Sequence, residues 1–97
     1  MTTISSGSSL TLEFSFFDEN KQPVTPESLT YTLSDPTDPE IKTDTITSSD
    51  SKYLLELTVD DNTITEDTIR RKLILKWAYN NGTKGDVILF FYQIKSV

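Results

Sequence analysis

The side chains that most often carry out enzyme chemistry are missing or isolated in this chain. It contains no histidine and no cysteine, so it cannot assemble a Ser-His or Cys-His nucleophile, or a zinc site with nitrogen and sulfur ligands. Two pairs of carboxylates remain as acid-base candidates, Asp35 with Asp38 and Asp60 with Asp61. Both lie in turn sequences, and neither has an apolar pocket to raise a pKa. We therefore predict that the protein is not an enzyme.

The run Asp60-Asp61-Asn62 is the best candidate for a metal site, because its oxygen atoms suit calcium. Its spacing differs from that of an EF-hand loop, which needs Asp-x-Asp-x-Asp-Gly and a glutamate further on. The same residue types are common where a strand ends in a turn. The three glycines, at positions 7, 82 and 85, do not form a phosphate-binding loop. We expect neither a metal nor a cofactor.

The clearest structural signal lies at the end of the chain, where two apolar runs flank Asn80-Asn81-Gly82-Thr83. Asparagine and glycine tolerate the positive φ angles of a type I′ turn. The sequence therefore predicts a long antiparallel hairpin over residues 72–97. One face of its first strand carries Leu73, Leu75, Trp77 and Tyr79, and one face of its second strand carries Ile88, Phe90, Tyr92 and Ile94.

Apolar and polar residues alternate along much of the remaining chain, which is typical of half-buried strands. The pattern predicts further strands in the segments 9–17, 29–33, 41–47 and 53–59. A turn at 48–51 joins the last two. The stretch 64–71 has a helix-capping sequence but lacks an apolar stripe, so we expect one helical turn at most. Six or seven short strands predict one antiparallel β-sandwich domain over 1–97. We expect residues 1–8 to form a terminal arm and Trp77 to anchor the core.

The composition and the charge narrow the classes of partner. Hydrophobic residues make up 35% of the chain, and no apolar run reaches the roughly 18 residues that cross a bilayer. The start has no basic or apolar leader region, which predicts synthesis in the cytoplasm. The net charge of −6 argues against nucleic acid as a partner. Residues 1–67 hold 14 acids and 3 bases, and residues 68–97 hold six bases and one acid. This asymmetry suits docking between subunits, although charges on solvated faces would also produce it.

The last predicted strand is apolar on both faces between Val87 and Tyr92, although a two-layer sandwich usually leaves its outer faces wet. An exposed apolar patch of this kind marks a partner surface. Two alternatives stay open: a terminal arm or a loop covers the residues, or a bulge near Gly85 shifts the register and inverts the faces. The candidates for partner contact are Phe17, Ile74, Val87, Leu89 and Phe91.

Three segments of the chain combine into a recognisable pattern. Ser8 to Val24 reads as a strand ending in Asp, then a polar turn and Pro-Val; Leu29 to Pro36 reads as an alternating strand that runs into Asp-Pro. The third segment is Lys76-Trp77 near the closing hairpin. Together they resemble the small immunoglobulin-like or fibronectin-like domains of tailed bacteriophage structural genes. The chain lacks the usual glycine-rich turn before the tryptophan strand. The resemblance implies an immunoglobulin-like sandwich of about seven strands.

The resemblance also implies a function, that of a virion structural protein made in the host cytoplasm. The first expectation is a capsid decoration or head-associated subunit. It would bind other virion proteins in many copies on a repeated lattice, where multivalency gives avidity. Two alternatives remain: an accessory subunit of the neck or tail, and a carbohydrate-binding adhesion module with Trp77 or exposed tyrosines as a stacking platform.

Overall fold

The computed structural model describes residues 2–47 and 50–97. Within these residues the regular secondary structure is entirely β. The seven strands are β1 (Thr2–Ser5), β2 (Leu10–Ser15), β3 (Ser28–Ser34), β4 (Lys42–Ile46), β5 (Lys52–Leu57), β6 (Thr68–Tyr79) and β7 (Lys84–Lys95). The described part of the chain contains no helix capable of spanning a membrane. The capping sequence at 64–71 forms no helical turn there and instead leads into β6.

The strands form two sheets that enclose one core. The larger sheet has the order β1-β7-β6-β3-β4, and the smaller sheet pairs β2 with β5. Neighbouring strands are antiparallel except for β1, which runs parallel to β7. Alternate residues of both sheets point into the core, because side chains along a strand alternate between its faces. The largest of the core residues with almost no solvent exposure are Phe16, Leu29, Leu33, Leu57, Leu73, Leu75, Tyr92 and Ile94. The structure thus agrees with the predicted all-β sandwich.

The C-terminal hairpin is present, with β6 and β7 paired from Thr68 opposite Lys95 to Tyr79 opposite Lys84. Asn81 and Gly82 have φ angles of 59° and 76°, as the two central residues of a type I′ turn require. The register continues without interruption past Gly85. The bulge alternative is therefore wrong, and the predicted faces of β7 are retained.

The segment predicted as a terminal arm, residues 1–8, contains the strand β1. Thr2–Ser5 pair with Tyr92–Lys95 of β7 and form one edge of the larger sheet. The chain stays attached beyond β1, because the Ser6 amide donates to the Lys95 carbonyl at 2.7 Å. Further along, the side-chain amide of Asn62 donates to the Ser8 carbonyl at 2.9 Å. The arm therefore covers a short part of the β7 edge and leaves the outer surface of β7 open.

Trp77 does not lie at the centre of the core, where the sequence placed it. It is half-buried near the turn of the hairpin, with its ring 5.1 Å from Phe16 and 5.5 Å from Tyr79. Tyr92 is the largest fully buried side chain instead. Its hydroxyl donates to Asn62 Oδ1 at 2.8 Å, and burial raises the pKa of Tyr92 to about 12, against a smaller lowering effect of Arg71.

The strand β5 is shorter than the sequence indicated. It ends at Leu57, and Val59 is half exposed in the turn that follows, so the apolar alternation continues for two residues after the strand has stopped. The turn predicted at 48–51 includes residues 48 and 49, which lie outside the described residues.

Candidate partner-binding face

The larger sheet has an outer face, defined as the strand positions that point away from β2 and β5. Four of the five predicted contact residues lie together on it. Ile74 of β6 lies opposite Leu89 of β7, and Val87 and Phe91 flank Leu89 on the same side of β7. Val87, Leu89 and Phe91 are 48%, 54% and 50% exposed, and Ile74 is half-buried. We call these four residues the apolar patch.

Phe17 lies apart from the apolar patch. It follows the end of β2 and makes an isolated bridge with Pro23. Its side chain is half exposed and lines a small depression of about 280 Å³ beside Trp77 and Tyr79, near the hairpin turn. The structure therefore does not bring Phe17 together with the other four predicted residues.

The outer face is also positively charged. The excess of bases in residues 68–97 was evident in the sequence, but not the face on which they lie. Arg70, Lys72 and Lys76 alternate along β6 on the same side as Ile74, and Lys95 occupies the same face of β7. No acidic residue occupies an outer-face strand position in the part of the chain that the structure describes. All fifteen acidic residues of the chain lie elsewhere. The face thus differs in sign from the molecule as a whole, and its field favours an acidic partner.

Pairs of threonines across β3 and β4 form the rest of the outer face. The hydroxyl oxygens of Thr32 and Thr43 lie 2.6 Å apart, and those of Thr30 and Thr45 lie 3.4 Å apart. Cross-strand threonine pairs of this kind stabilise an exposed sheet surface. The face therefore changes across the strands from apolar on β7, through cationic on β6, to hydroxyl-rich on β3 and β4.

A groove of about 500 Å³ opens at one end of this face, between β6, β7 and the loop after β3. Ile74 and Phe91 of the apolar patch supply apolar lining, Arg70 and Lys72 supply positive charge, and the remaining lining residues include Ser34, Pro36 and Pro39. A pocket with apolar walls and a few charged groups suits a side chain that carries both kinds of surface.

Asp35 is the one acidic residue that lines the groove. Its carboxylate oxygen Oδ1 accepts hydrogen bonds from the Thr37 amide at 2.8 Å, the Thr37 hydroxyl at 2.8 Å and the Asp38 amide at 2.7 Å. Burial alone would raise the pKa of Asp35, but these hydrogen bonds outweigh it and hold the pKa below its usual value. The charge is thus engaged within its own loop.

In the run considered as a calcium site, the side-chain oxygens of Asp61 and Asn62 accept hydrogen bonds from other residues. Asp61 accepts hydrogen bonds from the Thr58 amide at 2.8 Å and from Lys42 Nζ at 3.3 Å. These bonds outweigh the effect of burial and lower the pKa of Asp61. The amide of Asn62 is buried against Ser8 and Tyr92. Among residues 2–47 and 50–97, no group of three or more acidic side chains is placed to hold a metal ion.

The fold and the face together define a small all-β domain with one exposed apolar and cationic surface. The chain matches no family model, no curated protein and no solved structure. The geometry and the charge of this face are therefore the observations that bear on partner binding.

Proposed function

We propose that the chain is a non-enzymatic structural protein of a tailed bacteriophage virion, and that its outer face docks on another virion protein. The first candidate role is a capsid decoration or head-associated subunit, present in many copies on a repeated lattice. The observation that supports docking is the apolar patch, which lies exposed among cations on a face without acidic strand residues. Patches of this kind mark interaction surfaces.

The strand order supports the finer proposal of an immunoglobulin-like topology. The order β7-β6-β3-β4 corresponds to G-F-C-C′ of an immunoglobulin variable-type sheet, and the pair β2-β5 corresponds to B-E of the opposite sheet. Two features differ from antibody domains: the chain has no cysteine for an inter-sheet disulfide, and its tryptophan lies on β6. These differences fit the wider group of sandwiches that share the architecture without the sequence hallmarks.

The glycan-binding alternative has less support from the geometry. A stacking platform needs an exposed, flat aromatic face, but Trp77 is half-buried. Its ring stacks on Tyr79 at 19° and contacts Phe16 at a tilt of 53°. The ring surface of Trp77 is therefore largely used within the domain.

The test compares two lysine substitutions in particles of the phage that encodes the chain. Leu89→Lys places a charge in the apolar patch, and Leu54→Lys places the same charge at a 62% exposed leucine on the smaller sheet. Both variants should unfold at the wild-type temperature, because both leucines are exposed. We expect Leu54→Lys to be incorporated normally and Leu89→Lys to be lost from purified particles.

Equal incorporation of two folded variants would contradict docking through the outer face. The copy number of the wild-type chain then separates the two virion roles. A number that matches the capsid lattice supports decoration, and a number that matches a single ring supports the neck or tail. Absence of the chain from purified particles would refute the virion proposal altogether.

A further inference from the structure

The strand β7 has a free edge over most of its length. On one side it pairs with β6 from end to end, whereas on the other side β1 pairs only with Tyr92–Lys95. In the part of the chain that the structure describes, no strand pairs with Lys84–Phe91 on that second side. Unpaired edges of this length are templates for pairing with another chain.

The direction of the backbone groups follows from two hydrogen bonds. The Lys95 carbonyl accepts a bond from the Ser6 amide on the β1 side, and the next amide, that of Ser96, donates to the Asp67 carbonyl at 2.8 Å on the β6 side. Because backbone groups alternate along a strand, the odd-numbered residues of β7 direct their N–H and C=O groups away from β6. Leu89 therefore offers both groups at the free edge.

We propose that this edge pairs with the same edge of a second copy of the chain, through antiparallel pairing of residues 86–90 about a two-fold axis at Ile88. Asp86 is the one charged residue of the segment 86–90, and an axis at Ile88 places it opposite Phe90 of the other copy, so self-pairing here brings no like charges directly opposite each other. The central facing pairs, Val87 with Leu89 and Ile88 with Ile88, are apolar. A two-fold arrangement also gives hydrogen-bond partners to the unpaired backbone groups of both edges, so the assembly stops at a dimer.

The position of the axis follows from the neighbouring structure. A hydrogen-bonded pair requires odd residues opposite odd residues, which an axis at Ile88 achieves by placing Val87 opposite Leu89 of the other copy. The paired segment 86–90 ends before Tyr92, where Thr2 of β1 takes the edge, so Lys84 of the other copy, which would otherwise lie opposite Tyr92, must leave the edge there. The result is one continuous ten-stranded sheet with two outer faces on the same side. This inference goes beyond the proposed docking function and does not depend on it.

The edge also carries a device that limits pairing. The Asp86 carboxylate accepts a hydrogen bond from the Val87 amide. Val87 is one of the two residues, with Leu89, that would bond to the other copy across the axis. A charged residue at an edge weakens strand addition. We therefore expect a weak dimer that becomes tighter in Asp86→Ala.

The first test is sedimentation equilibrium of the whole chain from about 10 μM to about 1 mM, the range of weak association. Leu89→Pro removes the edge N–H without removing a bond to β6, and Leu89→Thr removes the same leucine but keeps the N–H. We expect wild-type dimerisation, weakening of at most about tenfold in Leu89→Thr, and loss of the dimer in Leu89→Pro. A monomeric wild type, or equal behaviour of two folded variants, would overturn the proposal.

The second test locates the axis without proline and uses the absence of native cysteine. An axis at Ile88 brings the two copies of that residue to a Cα separation of about 4.5 Å, within disulfide range. The copies of Phe90 would lie about 13 Å apart along the strand. In a glutathione redox buffer, Ile88→Cys should form a covalent dimer and Phe90→Cys should not, each variant being checked by circular dichroism. Equal yields would refute the pairing and leave the docking proposal standing.

Discussion

Removal of one buried hydroxyl group gives the most direct test of how the core is held together. The Tyr92 hydroxyl donates to Asn62 Oδ1 at 2.8 Å, and both side chains are fully buried. Tyr92→Phe keeps the ring and leaves the Asn62 oxygen without this donor. An unsatisfied buried acceptor costs about 1–3 kcal/mol. For a domain of this size, each kcal/mol lowers the midpoint of thermal unfolding by roughly 4–8 °C.

The same substitution predicts a change in the alkaline pH dependence. Burial raises the pKa of Tyr92 to about 12 from the ordinary 10.0, a difference worth roughly 2–3 kcal/mol. Because the folded-state pKa is raised, this contribution is fully present below pH 10 and is lost as the pH rises toward 12. Tyr92→Phe cannot ionise at this position. The stability gap between the two proteins should therefore narrow above pH 10.

Urea unfolding followed by tryptophan fluorescence at several pH values measures both effects. A double-mutant cycle with Asn62→Ala isolates the hydroxyl–amide bond from the other contacts of Asn62. Wild-type stability in Tyr92→Phe near pH 7 would show that the bond contributes nothing. A gap of constant size between pH 8 and about pH 11.5 would refute a buried, neutral Tyr92.

Two further substitutions test the hairpin and the Lys42–Asp61 pair. Gly85→Ala places a Cβ against the Trp77 carbonyl oxygen, so the strands must shift. We expect a loss of about 1–3 kcal/mol in urea unfolding, and an unchanged midpoint would contradict this close approach. Asp61→Asn should cost about 1–3 kcal/mol near pH 7, whereas exposed Asp60→Asn should cost little. Since the folded-state pKa of Asp61 is lowered, this loss should disappear as the pH falls below the ordinary 3.8; a loss that persists there would show a steric cause.

Much of the fold was predictable because the chain alternates apolar and polar residues with a period of two. This pattern located β2, β3, β4, β5 and the final hairpin and assigned the inner and outer residues of β7 correctly. The strand β1 was not predicted, because Ile4 is its only apolar residue and gives no alternating pattern. Its position comes from parallel pairing with residues more than eighty positions away, which local patterns do not contain.

The candidate site was predicted in part for the same reason. Ile74, Val87, Leu89 and Phe91 were identified as apolar residues on strand faces that a sandwich leaves open. Phe17 was grouped with them by its alternation with Phe16, but the strand ends at Ser15 and Phe17 lies in the following loop. The cations of the outer face were detectable. Once Leu73 and Leu75 point inward, the even-numbered positions of β6 must point outward.

The parallel pairing of β1 with β7 has a practical consequence for any recombinant form of the protein. β1 begins at Thr2 beside Tyr92, where the open part of the β7 edge ends. A bulky N-terminal purification tag would be attached close to this open edge, and we expect it to obstruct a neighbouring strand and weaken self-association. A tag attached after Val97 avoids this interference.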